Sequence, residues 1–448
     1  MKTLSINQIF SFSNSIYHKL PKIRRSGQLI FFAACLIITT ACNALTVKFL
    51  NENSEYNSNN IYVLFTEQPA SLNPFDATIN GQPLCITTSY SLAQLDNGIS
   101  LNHLRGGVIY ISLGQAMAGN RSDQPSFTNT SDPDYYKRWD KFEITFNGYS
   151  YDVANLTGIN SFAIPLSIKT FGNGGTKQRE SLGYTVYGDE MIDLLKATAT
   201  NNSAVLKDTN NNFLRVIGPT TYSSLTTGPY PSFDNYLNSL ISSGEPTLIQ
   251  DLYSGPGTGP RKTTQTYTFT NTFDAGGDLI MNGGGTVIGM AHSVVISNDV
   301  LAYNIYANNP PYFVDGINGS FADNDVYSAA VRDTLAGLAI GYVGSTVIDP
   351  VTGVAFKDEY CKHWFATNQP LAFSDVQTND QFYNKYAEIF WKYSGSYGFP
   401  FSDKLHKPVQ VSLDPANVDT VEIIVLPDIP EPGFLWIIGL ILFLSLKR

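Results

Sequence analysis

Glu143, Thr145 and Asn147 stand two residues apart, and Phe142, Ile144 and Phe146 fill the alternate positions. In a strand, a period of two sends alternate side chains to opposite faces. The three polar groups therefore share one face and the three apolar groups the other. A carboxyl, a hydroxyl and an amide on a rigid surface suit a neutral, hydroxyl-rich ligand such as a sugar, and the carboxyl can work there as a general acid or base. An ordinary solvated strand face shows the same alternation. The surrounding stretch, residues 125–166, is the densest part of the chain in such side chains.

Other chemistries find no support. The five histidines, His18, His103, His292, His363 and His406, have no metal-ligand spacing, and Cys361 with His363 is a pair at best. Gly255 to Lys262 resembles a phosphate loop, but Pro260 occupies its second required glycine. Gly283, Gly284 and Gly285 lack dinucleotide-binding spacing and read as a β-turn. No Gly-x-Ser-x-Gly elbow occurs. No metal or cofactor is implied.

The positioning elements follow from periodicity. Strands are expected at Leu45–Leu50, Ile61–Thr66, Gly107–Leu113, Phe142–Asn147 and Phe162–Thr170. Helical spacing begins near Met191, Leu194, Leu195 and Ala199, and returns at Tyr236–Ile241, Val326–Val343 and Gln381–Tyr393. Strands are expected among these helices, at Thr266–Thr270, Gly285–Met290 and Ser293–Ile296, and again at Val409–Leu413 and Val421–Leu426. The expected fold is α+β and mainly β: a barrel or sandwich closed by both chain ends, with an inserted mixed α/β lobe and a groove between them. Its segments are 1–44, 45–182, 183–395, 396–427 and 428–448.

The chain has 448 residues, 28 Lys+Arg, 38 Asp+Glu and 43% hydrophobic residues. That apolar share excludes wholesale disorder, and the acidic balance argues against a nucleic-acid partner, since phosphates need a basic surface. Residues 1–44 carry Lys2, Lys19, Lys22, Arg24 and Arg25 but no acid, then the apolar run Leu29–Ile38 and small residues up to Ala44. This is the order of a secretory signal peptide, with cleavage expected after Ala44 or lipidation at Cys42. Near the other end come Pro430-Glu431-Pro432, an apolar run from Phe434 to Leu446, and Lys447-Arg448. That order resembles the PEP-CTERM sorting signal. The resemblance implies transient membrane association, processing by an exosortase-type protease and a secreted or cell-surface destination. Of the cysteines outside the signal, Cys85 and Cys361 are expected either as one disulfide or as two buried thiols.

The segment carrying Glu143 resembles the signature region of glycoside hydrolase family 64, the β-1,3-glucanases with a thaumatin-like barrel. The similarity extends to Leu45–Phe65, to Gly107–Leu113, to Tyr386–Ile389 and to Tyr397-Gly398-Phe399-Pro400-Phe401-Ser402-Asp403. It implies inverting, endo-type hydrolysis of β-1,3-glucan without a cofactor. Inversion uses two carboxyl groups about 6.5–9.5 Å apart, one an acid and the other a base that activates water. By that resemblance Glu143 matches the general acid, and Thr145, Asn147 and Thr157 match substrate-binding residues. The general-base position is Asn160, and the family's tryptophan is replaced by Val153. An amide cannot take up water's proton near neutral pH. Three explanations remain open: a glucan-binding member without the chemistry, a substitute base at Asp152 or else Asp140, or a slow hydrolase in which Asn160 positions water. A non-catalytic thaumatin-like surface-display protein is the alternative of a different class.

Overall fold

The computed structural model describes residues 44–429 except 67–74, 87, 120–123, 223–226, 254–264, 286–291, 308, 321–324 and 366–368. The expected signal segment, the C-terminal sorting segment from Pro430 onward and the loop at 255–262 lie outside the described residues.

The barrel strands are β1 (Leu45–Asn51), β2 (Ile61–Thr66), β3 (Ile99–Leu113), β4 (Arg138–Phe146), β5 (Val153–Thr157), β6 (Leu166–Gly172) and β7 (Lys177–Leu182). After the second lobe come β8 (Gln410–Ser412) and β9 (Thr420–Val425). They belong to one sheet running β7-β6-β9-β1-β3-β4-β5, with Ser396–Tyr397 next to β5, β2 on β3 and β8 on β5. β1 and β9 pair in parallel, from Thr46 opposite Thr420 to Asn51 opposite Val425. The first and last barrel strands are thus hydrogen-bonded neighbours, which removes an edge that would otherwise be exposed. β1 shows why these segments are strands: Leu45, Val47 and Phe49 are buried and alternate with more open residues.

β3 serves both halves of the sheet because it bends. Its register against β4 shifts between Leu104 and Gly107, where Gly106 takes a φ of +56°. A side chain would resist that conformation, so the glycine makes the bulge possible.

The second lobe is an antiparallel meander of Thr247–Tyr253, Gln265–Phe273, Leu279–Gly285 and His292–Ile296, continued by two short strands. Helices α1 (Gly188–Lys196), α2 (Asp234–Ser243), α3 (Asn298–Ala307), α4 (Val326–Ile340) and α5 (Lys385–Tyr393) share a core with it. α4 is buried on nearly every side, as a central helix should be. Asp325 and Ser328 cap it reciprocally. Buried apolar residues fall into two large clusters. One runs from Leu45 to Val425 inside the barrel, and the other joins the meander, the helices and Phe399. Among the described residues, no helix is long and apolar enough to cross a membrane.

Three expectations change. Phe162–Thr170 is not one strand: Ser161–Phe162 pairs elsewhere, and β6 starts at Leu166. Between them the amides of Ala163 and Ile164 donate to the Asp140 carboxylate, and Pro165 has no amide to offer. Gly283–Gly285 form no turn but lie in the strand Leu279–Gly285, and a Cβ at Gly283 would come 2.0 Å from Thr268 O. Cys85 is exposed, Cys361 is buried and both are free thiols, so neither cysteine expectation holds.

Candidate active site

β4 and β5 form an antiparallel pair in which Glu143 faces Asn155 and Phe142 faces Leu156. Phe142, Ile144 and Phe146 are buried in the barrel core, which leaves Glu143 exposed on the outer face with Thr145 and Asn147. Registers extend that face sideways: Val108 opposes Glu143, Asn155 opposes Gln410, and Thr157 opposes Tyr397. The result is a polar stripe over β4, β5, β8 and Ser396–Tyr397, with Val108 of β3 at its apolar border. Asn155 Nδ2 donates to Glu143 Oε2 at 3.4 Å. Asn155 Oδ1 is buried and has no partner among the described residues. Gln410 Nε2 donates to Tyr397 Oη at 2.6 Å.

Lys141 shares the face of Glu143 one turn of the pleat earlier, and it is buried. Burial pushes its ammonium down, and the nearby Glu143 and Asp140 charges push it up. Its Nζ donates to Gln124 Oε1 at 3.0 Å and to Asn160 Oδ1 at 3.3 Å. Lys141 thus binds the amide at the position expected for the base while it feels the charge of Glu143. With Oδ1 on Lys141, the Asn160 NH2 turns toward Thr220 Oγ1, at 3.5 Å.

Both lobes fix the turn that carries Asn160. Gly158 N donates to Tyr397 O at 2.8 Å, and Gly158 O accepts Tyr386 Oη from α5 at 2.7 Å. Asn160 O accepts Gly218 N at 2.7 Å and Thr221 Oγ1 at 2.8 Å. Ile159 O accepts Thr220 Oγ1 at 2.6 Å. Approach is close enough that a Cβ on Gly218 would sit 2.5 Å from Ile159 O, and one on Gly158 2.1 Å from the Phe390 ring.

The remaining residues singled out in the sequence lie apart from this pair or are already engaged. Thr145 Oγ1 accepts Gly106 N at 3.0 Å, across the β3 bulge. Asn147 and Asp152 organise the turn between β4 and β5. Asp152 Oδ2 accepts Asn147 N at 2.7 Å and Tyr149 N at 2.8 Å, and Oδ1 accepts Asn147 Nδ2 at 3.3 Å. Asp152 is fully buried. Asp140 is buried on the core side of β4 and accepts the amides of Ala163, Ile164 and Lys141. Burial pushes its carboxyl up to about 6, against those three hydrogen bonds. Thr157 is buried beside Tyr397. Burial of the Tyr397 hydroxyl raises it, with the charges of Asp403 and Glu143 adding to the effect.

Lys141, Asn155, Tyr397 and Gln410 complete the stripe and are not among the site residues expected from sequence, where Tyr397 figures only in the resemblance of 397–403. Lys141 was within reach, since the period that exposes Glu143 also exposes the residue two before it. Asn155 needed the hairpin register, and the other two needed the long-range pairing of β5.

Residues 44–244 match the model of glycoside hydrolase family 64, described as β-1,3-glucanase. No curated protein sequence matches. Among solved structures, a β-1,3-glucanase domain (GH64) from Clostridium beijerinckii is 17% identical, with a TM-score of 0.55 over 86% of this chain and 98% of that one. A laminaripentaose-producing β-1,3-glucanase in complex with laminaritetraose is 16% identical, with a TM-score of 0.55 over 86% of this chain and 99% of that one. The likeness to these two structures establishes that the chain has the fold of the family 64 β-1,3-glucanases.

Proposed function

We propose that this chain is a glycoside hydrolase family 64-like protein that binds β-1,3-glucan along the Glu143 stripe, with its hydrolysis much weakened or lost. The match over residues 44–244 and the shared fold support the substrate class. One observation carries the functional reading. Asn160, which the family resemblance puts at the base position, has its carbonyl oxygen on the Lys141 ammonium. An amide held this way presents donors, not a proton acceptor, to a water molecule beside it. Asp152 and Asp140, the two candidate substitutes, are buried and committed to backbone amides. Glu143 is exposed, so a ligand can reach its carboxyl.

In this reading Glu143 donates toward a glycosidic oxygen, while the Tyr397–Gln410 pair binds sugar hydroxyls. Water on the opposite face of the sugar finds no base, which removes roughly 10²–10⁴ of the rate. The protein acts outside the cell, where its export segments deliver it. Purified protein is mixed with insoluble β-1,3-glucan and with laminarin, and retention and new reducing ends are measured together. Retention with little release is expected. Absence of both would favour a display protein with no sugar ligand.

A further inference from the structure

A hairpin in the second lobe carries two acids that the sugar site does not use. Ile348 bridges Ala355, Asp349 N donates to Val354 O at 2.8 Å, and Gly353 N donates to Asp349 O at 2.8 Å. Asp349 Oδ1 accepts Val351 N at 2.6 Å. Its Oδ2 is buried and has no hydrogen-bond partner among the described residues. Glu359 arrives from the short helical turn Phe356–Asp358. Its Oε1 accepts the Thr352 hydroxyl, and its Oε2 is buried and equally without a partner. The two carboxyl groups lie within hydrogen-bond reach of each other. Asp349 is 0% exposed and Glu359 3%.

Two buried carboxylates facing each other are strongly unfavourable unless something positive lies between them. No described Lys, Arg or His forms an ion pair with either, and the neighbouring Lys357 is turned to Glu245. Burial and the facing Asp349 push Glu359 up to about 7. The converging donors are all oxygens, two carboxylates and the Thr352 hydroxyl. That set suits a hard divalent cation and is poor for a transition metal. Thr352 is exposed, which puts its hydroxyl at the surface end of the group.

We propose that Asp349, Thr352 and Glu359 form a calcium site that ties the 348–355 hairpin to the chain at Glu359. Three protein ligands place it among weak sites, with dissociation constants of roughly 10⁻⁴–10⁻³ M. Other charged clusters lack this property. Asp251, Asp333 and Cys361 converge, but Lys404 Nζ already lies 2.8 Å from Asp333 and 3.8 Å from Asp251. A cavity of about 670 Å³ beside α1 is lined by Arg138 and Lys196, which are paired with Asp428 and Asp193.

The test uses the full chain stripped with EDTA. Thermal melting is followed as CaCl₂ is added at fixed ionic strength. In parallel, terbium luminescence is read by excitation of tyrosine, since Tyr342 feels both carboxylates. The expected result is a melting temperature about 2 °C or more higher in 10 mM Ca²⁺ than in EDTA, with terbium emission that calcium displaces. Asp349→Asn and Glu359→Gln should each abolish both signals. Each should still fold without metal, because one of two facing charges is gone. A melting temperature unmoved by calcium, with no terbium emission, would overturn the site. If stability then falls as pH rises from 6 to 8, the pair holds a shared proton instead. Emission that survives in both variants would also overturn it, by placing the ion elsewhere.

Discussion

Asn160→Asp exchanges one NH2 for an anionic oxygen, and the surroundings determine the consequence. The present Oδ1 lies 3.3 Å from Lys141 Nζ. Opposite unit charges at that separation attract by about 5 kcal/mol at an effective dielectric of ~20, and desolvation of both groups offsets a large part. The remainder holds the new carboxyl below the ordinary ~3.9 and raises the lysine that burial had pushed down. The new group is then ionised throughout pH 5–7 and can accept water's proton. General-base assistance is worth roughly 10²–10⁴ in rate, or about 3–5 kcal/mol of barrier. The assay is reducing-end release from laminarin at pH 5, 6 and 7, with retention on insoluble glucan as a control. It compares wild type, Asn160→Asp, and Asn160→Asp combined with Glu143→Gln. The single variant should gain release by that factor, and the double variant should lose it. Unchanged release with retention intact would refute the reasoning, and so would a gain that persists without the Glu143 carboxyl.

Further expectations concern the framework. Asp152→Asn leaves one oxygen for three donors and should lower stability by about 1–3 kcal/mol in denaturant unfolding, with glucan retention unchanged; loss of hydrolysis from a folded variant would restore Asp152 as a base. Asp140 has its carboxyl pushed up to about 6 by burial, so the native state holds its proton longer than the unfolded chain does. Its contribution is complete below about pH 4 and declines by about 3 kcal/mol as pH rises through 6; Asp140→Asn should remove that slope from unfolding curves recorded between pH 4 and 7. Tyr386→Phe strips the buried Gly158 carbonyl of its partner. About 1–3 kcal/mol of stability should go with it, and glucan retention should weaken as the Asn160 turn loosens.

The barrel was legible where one face meets a core and the other meets water. The alternation of Phe142, Ile144 and Phe146 with Glu143, Thr145 and Asn147 gave the correct face for the carboxyl. The parallel pairing of β1 with β9 could be expected only because both ends of the segment 45–427 read as strands. Periodicity stops short of what one side chain does to a distant one. Asp152 has the composition of a substitute base, and only the hydrogen bonds from Asn147 and Tyr149 show that it builds a turn. The Gly283–Gly285 run reads as a turn because glycine favours turns. Its actual place follows from backbone packing against Thr268, which no local pattern encodes. α3 was missed because its buried residues, Leu301, Ala302, Asn304, Ile305 and Tyr306, lie on more than one face.

The most direct test of the account is made on the unaltered protein. Its affinity for laminarin is measured by titration calorimetry, and its reducing-end release is followed on the same preparation, beside Glu143→Gln. The account predicts saturable binding by both proteins and release by wild type no more than about a hundredth of that gained by Asn160→Asp. Rapid release by wild type that vanishes in Glu143→Gln would contradict it, because a working base would then exist where the structure places a lysine-bound amide.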